Sequence, residues 1–216
     1  MRKLLIAMMA LGLAVPAVTA EDAPKEDQAI KQIDEMIASA DVNKDDAQWR
    51  TKLSKPEPAT FDASRSYYAN MTTNKGPVRI KLLPDVAPMH VTSLIYLTRM
   101  GFYDGLAFHR VIPGFMAQTG DPTGTGRGGS GKNLKAEFSR SARFERGTVG
   151  MARSQSPNSA DSQFFIMFKP APHLNGAYTV WGQVIEGMEF VDKLARGQPP
   201  ANPDRIIRMR PAAAKQ

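Results

Sequence analysis

From about residue 65 onward, the chain consists mainly of short runs of strand-forming residues separated by turns. In residues 66–83, Val78, Ile80 and Leu82 alternate with basic residues after an Asn-Lys-Gly-Pro turn at 74–77, which predicts a β-hairpin. Further strands are expected at 162–168, 177–185 and 205–210. Many strands with few helices favour a mainly β fold, either a sandwich or a barrel.

Two helices are predicted within this β region. Residues 87–101 carry apolar side chains on one helical face, tolerate Pro88 in the first turn and can end at Gly101. A second helix is expected over residues 188–197, where Gly197 is the stop signal.

Residues 1–20 have the layout of a secretory signal peptide. Arg2 and Lys3 form a basic tip, an apolar run follows from Leu4 to Val15, and small residues end at Ala20. Cleavage near Ala20 would make the mature protein periplasmic or secreted, and an uncleaved anchor is the alternative. Because the apolar run is shorter than the roughly 20 residues that span a bilayer, no stable membrane insertion is expected.

Residues 21–65 are predicted to form an acidic helical arm and a linker. Ile30, Ile33 and Ile37 recur at helical spacing in a charged background, which predicts a short amphipathic helix over about 25–39. The apolar stripe of this helix needs a cover. Packing on the body is the default expectation, and self-association with a second copy or a half-formed helix are the alternatives.

The formal charge of +7 is unevenly distributed. Residues 21–60 hold six basic and ten acidic residues, a net charge of −4, whereas residues 61–216 have a net charge of +9. A basic body can be steered towards anionic surfaces, but a solubilising surface is the simpler interpretation. Nucleic acid is not an expected partner of an exported protein. The chain has no cysteine, which excludes disulfides, a thiol nucleophile and thiolate metal sites.

Four blocks of sequence, in order, resemble the cyclophilin family of peptidyl-prolyl cis-trans isomerases. They are FHRVIPGFMAQTGD (108–121), GTVGMARS (147–154), SQFFIMF (162–168) and YTVWGQVIEGMEFVDKL (178–194). The resemblance covers a domain at 66–216. It implies a closed antiparallel eight-stranded β-barrel capped by two helices, to which the arm adds an N-terminal helical extension. It implies no cofactor.

Rotation about an X-Pro bond makes and breaks no covalent bond, so a nucleophile, a metal and an acid–base pair are all unnecessary. Twisting removes amide resonance and returns a lone pair to the prolyl nitrogen, so a donor aimed at that nitrogen acts mainly in the transition state. The resemblance assigns this role to Arg110, a charged and rigid fork. It also places Gln118 on the substrate backbone. His109 is expected to bind a substrate carbonyl or to support Arg110, not to act as a general base.

The resemblance also implies a groove around the proline. Its apolar pocket is formed by Phe115, Met116, Phe165 and Leu174, with Ile112 on the wall. Gln163 is expected to bind the peptide backbone, and Ala152, Arg153 and Ser154 to line the groove for residues before proline. The chain departs from many eukaryotic members at three groove positions, which hold Arg153, His173 and Tyr178.

The stretch GDPTGTGRGGSGKN, residues 120–133, has the glycine spacing of nucleotide-binding loops. It nevertheless lies in a predicted turn, and Asn133 replaces the hydroxyl residue that would hold magnesium, so phosphate binding is not favoured. In the family this stretch is a surface loop beside the groove, with Gly126 nearest the site. The three histidines of the chain, at positions 90, 109 and 173, lack ligand spacing, so no metal site is expected.

These observations predict an exported isomerase that acts on proline-containing, unfolded or partly folded exported proteins. A chaperone or scaffold that binds proline-containing peptides without turnover is the alternative, because it would use the same groove.

Overall fold

A computed structural model describes residues 27–215, so the predicted signal peptide at 1–20 lies outside the described residues.

The predicted hairpin is formed by the first two strands of the sheet. β1 (Arg65–Thr73) turns directly into β2 (Gly76–Leu82), with Thr73 paired to Gly76. The predicted hairpin is therefore confirmed, and its Val78, Ile80 and Leu82 side chains are buried as the alternation requires.

Eight strands form one sheet in which each pairing is antiparallel. The strands after the hairpin are β3 (Arg110–Ile112), β4 (Met116–Thr119), β5 (Thr148–Met151), β6 (Phe164–Met167), β7 (Val180–Glu186) and β8 (Ile206–Lys215). Their order across the sheet is β3-β4-β6-β5-β7-β2-β1-β8. The fold is thus mainly β with few helices, as the sequence predicts.

Backbone hydrogen bonds join the two edges of the sheet near the starts of β3 and β8. The Phe108 amide donates to the Asp204 carbonyl at 2.8 Å, and the Ile206 amide donates to the Leu106 carbonyl at 2.9 Å. Val111 of β3 also pairs with Gly197. These contacts bring the C-terminal part of the chain beside β3, where Arg110 lies.

The core lies on one side of the sheet and is rich in aromatic rings. Tyr103, Phe164 and Trp181 are buried and meet edge to face, with centroid distances of 5.6 Å and 5.4 Å on either side of Phe164. Phe164 is therefore a residue of this core, unlike its neighbour Phe165. The predicted helix at 87–101 is α2 (Pro88–Arg99), which buries Val91 and Leu94.

The helix predicted at 188–197 is much shorter than expected. α3 covers only Met188–Val191. After it, the Ala195 amide donates to the Asp204 carboxylate at 2.7 Å, and Gly197 exchanges backbone hydrogen bonds with Val111. These long-range partners replace the i to i−4 bonds that a continued helix would have needed, so the prediction of a helix ending at Gly197 is wrong.

The helix predicted at 25–39 is α1 (Gln28–Ser39), and it lies against α2. Ile33 is fully buried, and Ile37 packs on the edge of the same core. The apolar stripe is therefore covered by the body, as the default expectation stated. Self-association through this helix stays a prediction. Among the described residues, none of the helices has both the length and the apolar character needed to cross a bilayer.

Asp27 fixes the start of this helix to the sheet. One carboxylate oxygen accepts the Ile30 amide at 3.0 Å and caps α1, and the other accepts the Tyr67 hydroxyl at 3.0 Å. Arg65 lies 3.1 Å from the same carboxylate. Burial and the neighbouring Asp27 carboxylate raise the pKa of Tyr67 to about 12, so its hydroxyl stays protonated and donates.

We expect Asp27→Ala to lower the free energy of unfolding by about 1.5–3 kcal/mol, because it removes a helix cap and leaves a buried hydroxyl without its acceptor. Asp34→Ala is the matched control, since Asp34 lies in the same helix and forms a partly exposed ion pair with Arg99. That change should cost less than about 1 kcal/mol. Urea denaturation of both variants measures the difference, and equal losses would contradict the role given to Asp27.

Candidate active site

The register of three strands puts the predicted catalytic residues on one face of the sheet. Arg110 of β3 pairs with Gln118 of β4, and Gln118 pairs with Phe165 of β6. Directly paired residues point to the same side, so these three side chains share the outer face. Their neighbours Val111 and Ala117 point the other way and are fully buried in the core.

A groove of about 860 Å³ opens on this outer face. Every predicted site residue lines it except Ile112, Ser154 and Gln163. Ile112 packs against the apolar cluster beneath the groove. Ser154 and Gln163 line an adjoining cavity of about 380 Å³.

Arg110 is held by two neutral amides. Its Nε donates to Gln198 Oε1 at 3.0 Å and its Nη1 donates to Gln118 Oε1 at 3.3 Å. Gln118 in turn donates from Nε2 to Gln163 Oε1 at 2.8 Å. Since an amide oxygen orients the guanidinium without cancelling its charge, the positive charge of Arg110 stays available to the groove.

The floor of the groove is apolar and separate from the main core. Met116, Phe165 and Leu174 belong to a second cluster of buried side chains. The ring of Phe115 stacks on His173 with centroids 6.0 Å apart, and Tyr178 meets Phe165 edge to face at 5.8 Å. A compact apolar recess beside one cation suits a proline ring better than an extended polar chain.

Arg153 is the second arginine that lines the groove. Its Nε and Nη2 donate to the Ala177 carbonyl at 3.0 Å and 2.9 Å, and its guanidinium lies 4.5 Å from the centroid of Tyr178. These contacts hold the second cation against the wall. Arg153 is therefore a fixed part of the groove's shape.

His109 is almost completely buried beside Arg110, with 6% of its surface exposed. Burial lowers the pKa of His109, an effect that the charge of Asp121 opposes and the charge of Arg110 reinforces. The imidazole is therefore neutral at ordinary pH. A neutral, buried ring fits a supporting or carbonyl-binding role.

The glycine-rich stretch 120–133 forms turns and bends and contains no helix. Its start is organised by Asp121, a carboxylate with 1% exposure that accepts the amides of Thr123 and Gly126 at 2.7 Å and 2.6 Å. The strand–turn–helix context of phosphate-binding loops is absent here. Within residues 27–215, no three His, Cys, Asp or Glu side chains are grouped so as to hold a metal ion.

The model of the cyclophilin type peptidyl-prolyl cis-trans isomerase/CLD family matches residues 68–211. This chain belongs to the cyclophilin family. A probable peptidyl-prolyl cis-trans isomerase of Brucella suis is 53% identical over 150 residues, which cover 62% of this chain and 76% of the relative. A peptidyl-prolyl cis-trans isomerase of Helicobacter pylori is 40% identical over 139 residues, covering 63% of this chain and 85% of the relative.

Solved cyclophilins have the same fold. A Cryptosporidium parvum cyclophilin superposes with a TM-score of 0.65 at 30% identity, covering 68% of this chain and 98% of that one. A second structure of that cyclophilin was determined in the presence of the dipeptide Ala-Pro. The cyclophilin AquaCyp293 of Hirschia baltica gives a TM-score of 0.61 at 28% identity, covering 67% of this chain and 76% of that one.

Four groove residues of this cyclophilin were missed by the sequence analysis. They are Gly124, Thr125, Gln198 and Pro199. The first two follow the recognised string and could have been inferred from their closeness to Gly126. Gln198 had no local signal, because its partner Arg110 lies 88 residues earlier in the chain.

We expect Gln198→Ala to lower kcat about 2- to 10-fold, the equivalent of one lost hydrogen bond, because Arg110 loses the acceptor that orients its Nε. The KM for an X-Pro peptide should stay nearly constant, since Arg110 keeps its charge. Steady-state isomerase kinetics measure both constants. Gln155→Ala, at an exposed glutamine, is the control. An unchanged kcat in the Gln198 variant would contradict the positioning role.

Proposed function

We propose that this cyclophilin accelerates cis-trans isomerisation of X-Pro bonds in exported proteins, by non-covalent stabilisation of the twisted imide. The observation that carries the proposal is Arg110, whose two hydrogen-bond acceptors are neutral and whose charge borders an apolar recess. The recess formed around Met116 and Phe165 would take the proline ring. Arg110 would then donate to the prolyl nitrogen once conjugation is lost.

The energetic demand is modest. Unaided X-Pro isomerisation takes roughly 10–100 s. A turnover of roughly 10–1000 per second therefore requires about 3–7 kcal/mol of transition-state stabilisation. One preorganised donor of the oxyanion-hole type supplies about 2.7–4 kcal/mol, so Arg110 can account for half or more of the effect. Orientation of the ring by the apolar walls supplies the rest.

The other site residues have supporting roles in this proposal. Gln118 and Gln163 would bind the peptide backbone where it passes from the groove into the adjoining cavity. His109 would support Arg110 or contact a substrate carbonyl. The Ala-Pro dipeptide present with the Cryptosporidium cyclophilin is a minimal ligand of the class expected here. Exported proteins with exposed prolines are the proposed clients.

The cellular setting is part of the proposal. The layout of residues 1–20 supports cleavage near Ala20 and a periplasmic or secreted mature protein. The same proposal divides the chain into an arm at 21–65 and an isomerase domain at 66–216. The backbone bonds between residues 105–108 and 204–206 support closure of the sheet into a barrel.

The assignment of Arg110 is tested by Arg110→Ala. We expect kcat to fall about 100- to 1000-fold, as for loss of an oxyanion-hole donor, while affinity for an X-Pro peptide changes far less. Arg140→Ala, at an exposed arginine, is the matched control. A protease-coupled assay gives kcat, and calorimetry gives affinity. Equal loss of both would contradict the transition-state role, and a wild-type chain that binds without turnover would favour the scaffold alternative.

The proposal also predicts that kcat/KM is independent of pH between about 7.5 and 9. Arg110 stays charged throughout this range. Burial lowers the pKa of His109 below its ordinary value of about 6.5, so the imidazole is already neutral where this range begins. A peptide without ionisable side chains makes the measurement clean. A bell-shaped profile centred near neutrality would indicate proton transfer and contradict the mechanism.

A further inference from the structure

The glycine-rich loop walls both the groove and the adjoining cavity. Gly124, Thr125 and Gly126 border the groove, and residues 126–129 continue along the adjoining cavity. The two spaces share Gln118, Gly126, Ala152 and Arg153. A peptide that extends from its proline in the groove into the adjoining cavity would therefore contact this loop.

On the groove side, the loop is held by Gln163. Its Nε2 donates to the Gly126 carbonyl at 3.1 Å and to the Gly128 carbonyl at 2.8 Å. Gln163 Oε1 accepts from Gln118, which contacts Arg110. The inner end of the loop is thus tied to the catalytic amides.

The outer end of the loop is held at Ser130 and Gly131. Asp161, which lines the adjoining cavity, accepts the Ser130 hydroxyl and also the Gly131 amide at 3.0 Å. From the other side, the Leu53 amide donates to the Ser130 carbonyl at 3.0 Å. Gly131 has φ +101, and a Cβ there would lie 2.5 Å from the Thr51 carbonyl oxygen. The loop therefore packs tightly on residues 51–53.

Residues 49–53 are in turn fixed to the body. Leu53 is 2% exposed and belongs to the main core. The Trp49 ring meets Phe102 edge to face at 6.4 Å, and Arg50 Nη2 donates to the Asp104 carbonyl at 3.0 Å. This segment lies before the residues 68–211 that the family model matches.

We infer that residues 49–53 are a positioning element of the substrate groove. They hold Ser130 and Gly131 in place and thereby fix the loop wall of the adjoining cavity, where the residues that precede the substrate proline bind. The substrate class is an X-Pro peptide extended on its N-terminal side, and the inference rests on the proposed function for that orientation. In the proposed function the proline ring binds in the recess around Met116 and Phe165, whose apolar cluster does not include residues 49–53.

Gly131→Ala in the full chain tests this inference, because the new methyl group would push the loop away from Thr51. Gly105→Ala is the matched control. Gly105 also has a positive φ, +81, but a Cβ there meets nothing within 4 Å. The backbone strain is therefore similar in the two variants, and only Gly131→Ala disturbs the contact with residues 51–53. Leu53→Ala keeps the backbone amide that contacts Ser130 but removes the buried side chain that anchors residues 49–53 in the core, and it leaves the loop sequence unchanged.

Two peptides serve as probes, acetyl-Ala-Pro-amide and a peptide with three further residues before the alanine. Calorimetry gives the Kd of each, and NMR exchange spectroscopy gives the isomerisation rate. We expect Gly131→Ala and Leu53→Ala to weaken binding of the longer peptide about 3- to 30-fold, the range of couplings carried through packed contacts. Binding of the short peptide and its kcat should stay within about twofold, as for independent sites.

Equal weakening of both peptides, or the same weakening in Gly105→Ala, would overturn the inference. If the thermal melt shows that Gly131→Ala does not fold, the Kd values of the same two peptides for Leu53→Ala provide the test. Binding of both peptides by the wild-type chain without any turnover would overturn the proposed function instead. The comparison of the Kd values of the two peptides would still test the positioning role of residues 49–53.

Discussion

The site depends on a guanidinium that is oriented but not neutralised. A carboxylate beside Arg110 would have fixed it more firmly, but it would also have lowered the positive electrostatic potential in the groove. Gln198 and Gln118 avoid this cost, because an amide oxygen accepts a hydrogen bond and carries no net charge. The hydrogen bonds continue from Gln118 through Gln163 to the loop, so a chain of neutral groups positions one charge.

Strand register allows this arrangement to coexist with a dry core. Alternate residues of β3, β4 and β6 face opposite sides, so Arg110 and Gln118 face the groove while Val111, Ala117 and Ile166 fill the interior. A shift of one residue would bury the charge of Arg110 and the amide of Gln118 and would expose core side chains. The catalytic face and the hydrophobic core therefore stabilise the same register.

The sequence predicted those parts of the fold and site whose signals are local. The hairpin at 66–83 and α2 follow from alternation and helical periodicity, and Arg110, Gln118 and Phe165 lie within recognisable strings. Features that depend on contacts with distant residues were not predicted. The helix after Met188 ends early because Ala195 and Gly197 bond to residues outside it, and Gln198 reaches Arg110 only once that segment folds back. Both errors have the same cause, because local sequence patterns do not reveal which distant residues will form hydrogen bonds.

The groove is built on the outside of the sheet, and this location explains why loops matter to it. Val111 or Phe164 is held on all sides by packed neighbours, whereas Gly126 has the sheet on one side and solvent on the other. Hydrogen bonds from Asp121 and Gln163 replace part of the missing packing. A segment that presses on the outer end of the loop, as residues 51–53 do, can then change the groove's shape without altering the core or Arg110. Under the proposed function, substrate preference can therefore be adjusted by residues outside the strings that carry the family resemblance, while Arg110 and its partners stay in place.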